Sequence, residues 1–308
     1  MSNAVKEIDY QNLSIYDLEK EYISLTEENL QKKEEILRAW CKKLYKEEKK
    51  DEALAKTKEY LYVMLRQRFI YNESRTFFMF RPISEFMIQD LKDDTLSLSP
   101  TDKFNDPIDP PINVWITNNI KTIADPTFMC LLQKATDLLR IRCFVRTSKL
   151  LNEDHKLIEP EKQQKIEDIS PLMWAHYADG HRGACMEFEI PPSLIKDDGK
   201  CSFISLVPIV YEENINIEDK LSISAALNVK SKDWEYEHEV RLVQFDPNMN
   251  EEFPLIKGLK LKAVYLGVNC TDVDERKVKM ALLNKPIDLY RMNINVANLN
   301  RFIAKRIG

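Results

Sequence analysis

The chain has 308 residues, with 45 Lys and Arg against 50 Asp and Glu and a formal net charge of -5 at pH 7. Its 44% hydrophobic and 31% charged content is that of a soluble globular protein, long enough for one large domain or two ordinary ones. The acidic balance excludes a general field drawing the chain to nucleic acid or to anionic membrane, and leaves room only for a local basic groove.

No stretch reaches the ~18 consecutive apolar residues of a membrane span. Met1 to Tyr10 carries Lys6, Glu7 and Asp9 without an apolar run, so no signal peptide is expected. Six scattered cysteines without a C-x-x-C pair read as small core residues in a reducing compartment. A cytoplasmic protein without membrane contact is the expectation.

Residues 14 to about 70 have helical character. Ser14-Ile15-Tyr16-Asp17 and Ser24-Leu25-Thr26-Glu27-Glu28 are expected helix starts. Leu30, Ile36, Leu37, Trp40 and Leu44 recur at helical spacing. Lys46 to Glu52 interrupts the pattern, and Ala53, Leu54, Leu61, Met64, Leu65 and Phe69 resume it, which predicts a helical hairpin. Thr76 to Arg81 reads as a strand closed by Pro82, Ile83 to Leu91 as a helix and Thr95 to Leu98 as a strand. Ser99 to Pro111 is a loop rich in turn residues.

Phe128 to Leu139 predicts a buried helix, Arg140 to Val145 a strand, and Pro160 to Ser170 a charged loop or lid. Further strands are expected over Ala184–Ile190, Phe203–Tyr211, Glu237–Phe245 and Leu261–Leu266. A helix from Thr271 to about Asn284 follows, and Ile287–Met292 closes the chain as the last strand. Irregular mixing of short strands and helices predicts an α+β fold with a mixed or antiparallel sheet core. It divides into an N-terminal helical region, 1–73, and an α+β region, 74–308. The absence of a glycine-rich phosphate loop argues against Walker-type and dinucleotide-fingerprint enzymes.

Three constellations could carry chemistry. In Glu237–Val243, read as a strand, Glu235, Glu237, Glu239 and Arg241 would share one face. Two carboxylates on one strand face lie ~7 Å apart, close enough to divide the labour on one substrate; the alternative is a half-buried strand with solvated charges. The segment Met173-Trp174-Ala175-His176-Tyr177 offers flat stacking faces and neutral hydrogen-bonding groups, or else an aromatic corner of the core. His176, His181 and Cys185 raise a metal site, but their spacing fits no usual zinc module, and none is expected. Arg81, at the end of an apolar strand, would anchor a diphosphate or pair with an acid.

These segments together resemble the bacterial family known as domain of unknown function 2971. The resemblance runs in order through Phe80-Arg81-Pro82, then Leu96 to Ser99 leading to Phe104-Asn105-Asp106-Pro107, then Cys143-Phe144. It continues through Met173 to Ala178 with His181, Gly183 and Cys185, and ends at Lys232 to Arg241. It spans residues 75 to about 270, with Val145 standing where that family usually has serine.

A weaker resemblance is to the ADP-ribosyltransferases, whose order is an early-strand arginine, a middle polar-aromatic element and a late Glu-x-Glu. It implies an ADP-ribosyltransferase-like sheet core and NAD as substrate. Arg81 and Asn105 with Trp174, His176 and Tyr177 would bind the dinucleotide, Trp174 or Tyr177 stacking on nicotinamide. Glu239 would be the catalytic acid, and Glu237 would orient the acceptor. The implied function is ADP-ribosyl transfer to a protein or nucleic acid, or hydrolysis of NAD. A toxin or anti-phage effector with a neutralising partner would suit it. A non-catalytic nucleotide- or partner-binding module is the rival, and a metal-dependent hydrolase using Asp106, Glu237 and Glu239 a third reading.

Overall fold

Ser14 opens the first helix, α1 (Ile15–Ser24), its hydroxyl accepting the Asp17 amide at 3.1 Å. The computed structural model describes residues 9–25, 29–65, 75–104, 106, 108–111, 130, 133–134, 136–148, 165–197, 202–213, 227–299 and 301–308. Ser24 ends α1 instead of opening a new helix. Next come α2 (Leu30–Lys46) and α3 (Lys50–Leu65), parted at the charged knot, where Glu48 turns the chain with φ 61.

Ile36, Leu37, Trp40, Cys41 and Leu44 of α2 and Ala53 and Leu61 of α3 are buried in one cluster. The cluster continues into Leu139, Ile141, Phe203, Val207, Val243 and Phe245 of a sheet, so the helical hairpin packs on a sheet face.

The remaining elements are β1 (Arg75–Arg81), α4 (Glu85–Asp93), β2 (Leu96–Ser97), β3 (Leu139–Phe144), α5 (Pro171–Tyr177), β4 (Ala184–Ile190), β5 (Lys196–Asp197), β6 (Phe203–Pro208), β7 (Val210–Glu212), β8 (Val229–Ser231), β9 (Val240–Phe245), β10 (Leu255–Ile256), β11 (Lys260–Leu266), α6 (Asp272–Ala281), β12 (Asp288–Ile294) and β13 (Phe302–Arg306). They form a five-stranded sheet in the order β1-β4-β11-β12-β13 and a four-stranded sheet in the order β3-β9-β6-β5. Only β11–β12 is parallel in these two sheets. The fold is α+β with mixed and antiparallel sheets, as the irregular element order requires.

Between the two sheets lies a second apolar cluster. Phe77 and Met79 of β1, Met186 and Phe188 of β4 and Val264 of β11 meet Phe144, Leu206, Val240 and Leu242 of the smaller sheet. Side-chain alternation along each strand explains why β9 serves two cores. Val240 and Leu242 face the larger sheet, while Val243 and Phe245 belong to the helical side. The sheets join at one corner, where Phe78 and Val145 exchange backbone hydrogen bonds of 3.0 and 2.8 Å.

Four expectations are corrected. The strand placed at Glu237–Phe245 begins only at Val240, because Lys232–Glu237 coils as a 3-10 turn and His238 adopts a left-handed conformation, φ 44. The strand over Phe203–Tyr211 is two strands, β6 ending at Pro208 and β7 starting at Val210, since Ile209 donates its amide to the Glu239 carbonyl instead. Ile287–Met292 is not the last strand: β13 pairs antiparallel with β12 at the sheet edge, an exposed strand whose Lys305 and Arg306 masked its strand character. The helix from Thr271 stops at Ala281. Residues 128, 129, 131, 132 and 135 of the segment Phe128–Leu139, residues 160–164 of the charged loop, and the end of the hairpin beyond Leu65 lie outside the described residues.

Candidate functional site

α5 is a seven-residue helix started by Pro171 at its first turn and by Ser170, whose hydroxyl accepts the Leu172 amide. Its helical period separates two faces. Met173 and Trp174 are buried against Phe78, Phe80, Cys185 and Tyr265 of the larger sheet, with the Trp174 and Phe80 rings edge to face at 5.0 Å. His176 turns outward, while Tyr177, one turn beyond Met173 and Trp174, is half-buried at the edge of the same cluster. Beyond α5 the chain doubles back through Asp179, Gly180 and His181, all with positive φ. There the Gly183 amide donates to the Ala178 carbonyl at 2.7 Å. A Cβ on Gly183 would lie 2.5 Å from the Arg81 carbonyl oxygen, so this glycine lets the end of α5 press against the end of β1.

The join of the two sheets opens into a cavity of about 700 Å³. Arg81, His176, Tyr177, Glu237 and Glu239, from three distant stretches of sequence, all line it. Phe80, Phe104, Arg142 and Lys230 line it as well. Asn105 lies outside the described residues. Trp174 is absent from the cavity wall and only 1% exposed, so the expectation that it stacks on a ligand is corrected: its ring packs edge to face on Phe80 in the core. Tyr177 remains as the aromatic of that segment on the wall.

The two glutamates end up side by side, though not by strand alternation. Ser231 caps the 3-10 turn through the Asp233 amide, and the left-handed His238 reverses the chain before β9. Both carboxylates therefore reach the ammonium of Lys230 on β8, which donates to Glu237 Oε2 at 2.5 Å and to Glu239 Oε2 at 2.8 Å. The Tyr177 hydroxyl donates to Glu237 Oε1 at 2.6 Å. Arg241 Nε donates to Glu239 Oε1 at 2.6 Å, and its Nη2 donates to Asp109. Asp109 also lies 3.5 Å from the Lys230 ammonium. All five charged groups of this network are buried.

Three carboxylates share two cations, so one negative charge is left over unless a proton is held. Glu239 touches both cations. Burial alone would raise its pKa, but Arg241 first and Lys230 second outweigh that and hold it well below the usual carboxylate range. Glu237 has Lys230 alone. Burial, opposed by Lys230 and aided by the charge of Glu239, brings its pKa up to about 7. Of the two, Glu237 is the carboxyl that takes up a proton more readily. Burial first and the charge of Glu237 second push the Tyr177 phenol far above its ordinary value, so it stays a donor. The Cys143 thiol, on the same wall, is pushed up by burial and by Glu239 and remains protonated.

Arg81 lines the cavity and also pairs with Asp90 of α4 at 2.7 Å, the acid partner that was its alternative reading. His176 Nδ1 shares a 2.8 Å hydrogen bond with the Tyr236 hydroxyl and makes an edge contact with Trp234. His181 instead packs against Phe302, and Cys185 is buried in β4. Among the described residues, no three His, Cys, Asp or Glu side chains are placed to hold a metal ion. No described helix is long and apolar enough to cross a membrane.

Sequence reasoning missed Lys230, Asp109, Arg142 and Arg241 as members of the site. A lysine two residues outside the Lys232–Arg241 cluster and an Asp-Pro loop carry no signal of convergence until the strands are paired. Arg241 was read only as sharing a face with the glutamates.

Residues 173–242 match the model of the family described as protein of unknown function (DUF2971). This segment carries His176, Tyr177, Lys230, Glu237 and Glu239 of the cavity wall, with Arg241 buried behind Glu239, and it agrees with the family resemblance read from the sequence. No curated protein and no solved structure matches the chain.

Proposed function

We propose that the chain, built around the wall that carries the family match, cleaves the N-glycosidic bond of NAD and transfers ADP-ribose to a macromolecular acceptor or to water. The observation that carries this reading is the convergence of Arg81, Tyr177, Glu237 and Glu239 on one cavity. In the reaction the bond between ribose C1′ and the nicotinamide nitrogen breaks, and its electron pair leaves with nicotinamide, which becomes neutral. Positive charge builds on the ribose, and the permanently charged Glu239 lowers that barrier electrostatically. The acceptor nucleophile bonds to C1′ and gives its proton to Glu237, which is half-ionised near neutral pH. Tyr177 offers its ring to the nicotinamide.

The test is incubation with NAD and cell extract, following nicotinamide release and labelling of macromolecules with ADP-ribose. Release that Glu239→Gln lowers by at least tenfold at equal folded concentration supports the reading. Full activity in that variant removes Glu239 from the reaction. Labelled protein or nucleic acid identifies the acceptor, and release without labelling makes the enzyme an NAD hydrolase. The same reading extends to a cytoplasmic toxin or anti-phage effector with a neutralising partner. Its test is whether toxicity on expression disappears with Glu239→Gln at equal abundance.

One observation favours a second reading, a nucleotide-binding module without turnover. Each carboxylate oxygen of Glu237 and Glu239 already accepts a hydrogen bond from the protein. Nucleotide binding without nicotinamide release would select it.

A further inference from the structure

Four cations line the cavity: Arg81, Lys103, Arg142 and Lys230. Three of them face carboxylates. Arg81 pairs with Asp90, Lys103 with Asp102 and Glu252, and Lys230 with Asp109, Glu237 and Glu239. Arg142 differs. Among the described residues, no carboxylate lies within ion-pair distance of it, and its guanidinium is held on one side only. Nε donates to the Ser97 carbonyl at 2.7 Å, and Nη2 donates to the same carbonyl and to the Ser97 and Ser99 hydroxyls at 3.1 and 3.4 Å.

Nη1 donates to no group among the described residues. Burial first and the charge of Arg81 second lower the Arg142 pKa to about 10, which leaves the group cationic at neutral pH. A charge removed from water without a counter-ion is costly, and a bound anion offsets that cost.

We propose that Arg142 is the anion-binding residue of the cavity and takes a phosphate group of a bound nucleotide, the part that the sequence assigned to Arg81. The choice of phosphate rests on the nucleotide reading of the site; the choice of residue rests on the pairing pattern alone. Ser97 and Ser99 fix the Nε–Nη2 edge, so the guanidinium plane is set before a ligand arrives and Nη1 is left for it. A planar guanidinium meets phosphate oxygens with directed hydrogen bonds that a lysine cannot reproduce. Arg81, tied to Asp90, then holds the end of β1 against α4.

The test is calorimetric titration of the full chain with ADP, which has the diphosphate and no nicotinamide, at low ionic strength. The wild-type chain is expected to bind. Arg142→Gln is expected to weaken binding by tenfold or more, and Arg142→Lys by a smaller factor because it keeps charge and loses the fixed plane. Arg81→Gln is expected to weaken binding by a smaller factor than Arg142→Gln. Unchanged affinity in Arg142→Gln, loss confined to Arg81→Gln, or no ADP binding by the wild-type chain would overturn the proposal. Should Arg142→Gln fail to fold, Arg142→Lys decides, and wild-type affinity in it counts against Arg142. ADP bound through Arg142 in a chain that releases no nicotinamide sinks the NAD reaction and leaves this inference standing. NAD turnover untouched by Arg142→Gln does the reverse.

Discussion

The ammonium of Lys230 lies 2.5 Å from Oε2 of Glu237, and both groups are buried. Because Glu239 and Asp109 draw on the same ammonium, Lys230 holds three carboxylates at once. Removing one partner of a buried ionic network costs more than the network contributes, since charges are left without compensation. Lys230→Met is expected to destabilise the chain by about 3–5 kcal/mol, read from urea denaturation. A loss under 1 kcal/mol would mean that water reaches the network.

Glu237 gives stability a pH dependence of defined sign. Its folded pKa, raised to about 7, exceeds that of an unfolded glutamate. The folded state therefore binds more protons between the two values, and this group lowers stability as pH rises from about 4.5 to about 7. A shift of this size corresponds to about 3 kcal/mol. Glu237→Gln should flatten that part of the profile. Denaturation of both proteins at pH 5 and pH 7.5 checks it, and equal slopes in the two would place the raised pKa elsewhere. Glu239 acts in the opposite sense. Its depressed pKa contributes stability above the unfolded value, lost only as pH falls well into the acid range.

Tyr177 tunes the same proton. Its hydroxyl donates to Glu237 Oε1, which favours the ionised carboxyl. Tyr177→Phe should move the Glu237 titration to higher pH and cost about 1–3 kcal/mol of stability. Under the proposed reaction, the acid limb of the rate profile should move up with it. A pH–rate comparison of the two proteins makes the check, and an unmoved limb would separate Tyr177 from the titrating group.

Trp174 and Tyr177 sit three residues apart, and the structure sends them to different tasks. Trp174→Ala should destabilise by about 3–5 kcal/mol, as a large ring lost from a core does. Trp174→Phe should leave nucleotide binding within a few-fold of wild type. A ligand affinity that collapses in Trp174→Phe while the melting temperature holds would return Trp174 to the binding surface.

Much of the fold was legible because its signals are local. Ser14 and Thr271 announce helix starts through hydroxyls that accept amides within the same turn. Ala184–Ile190 matches β4 residue for residue, its apolar residues alternating with Glu187 and Glu189 and with no competing turn chemistry. Glu237 was misplaced for an equally physical reason. Its alternation with Glu235 and Glu239 imitates a strand, and the left-handed turn at His238 has no glycine to mark it.

The order of residues determined by itself that this chain would be α+β, that its N-terminal quarter would hold a helical hairpin, and that His176, Tyr177, Glu237 and Glu239 were worth watching. Only the tertiary structure decided that burial raises the pKa of Glu237 while Arg241 and Lys230 lower that of Glu239 despite its burial, because that depends on Lys230 from β8, Asp109 from a loop and Arg241 from β9. It also separated Arg81, paired with Asp90, from Arg142, which has no acid partner among the described residues. Spacing along a chain sets which side chains share a face over a few residues. The counter-ion of a buried charge is set by which strands pair and how the sheets pack, and that is a property of the whole fold.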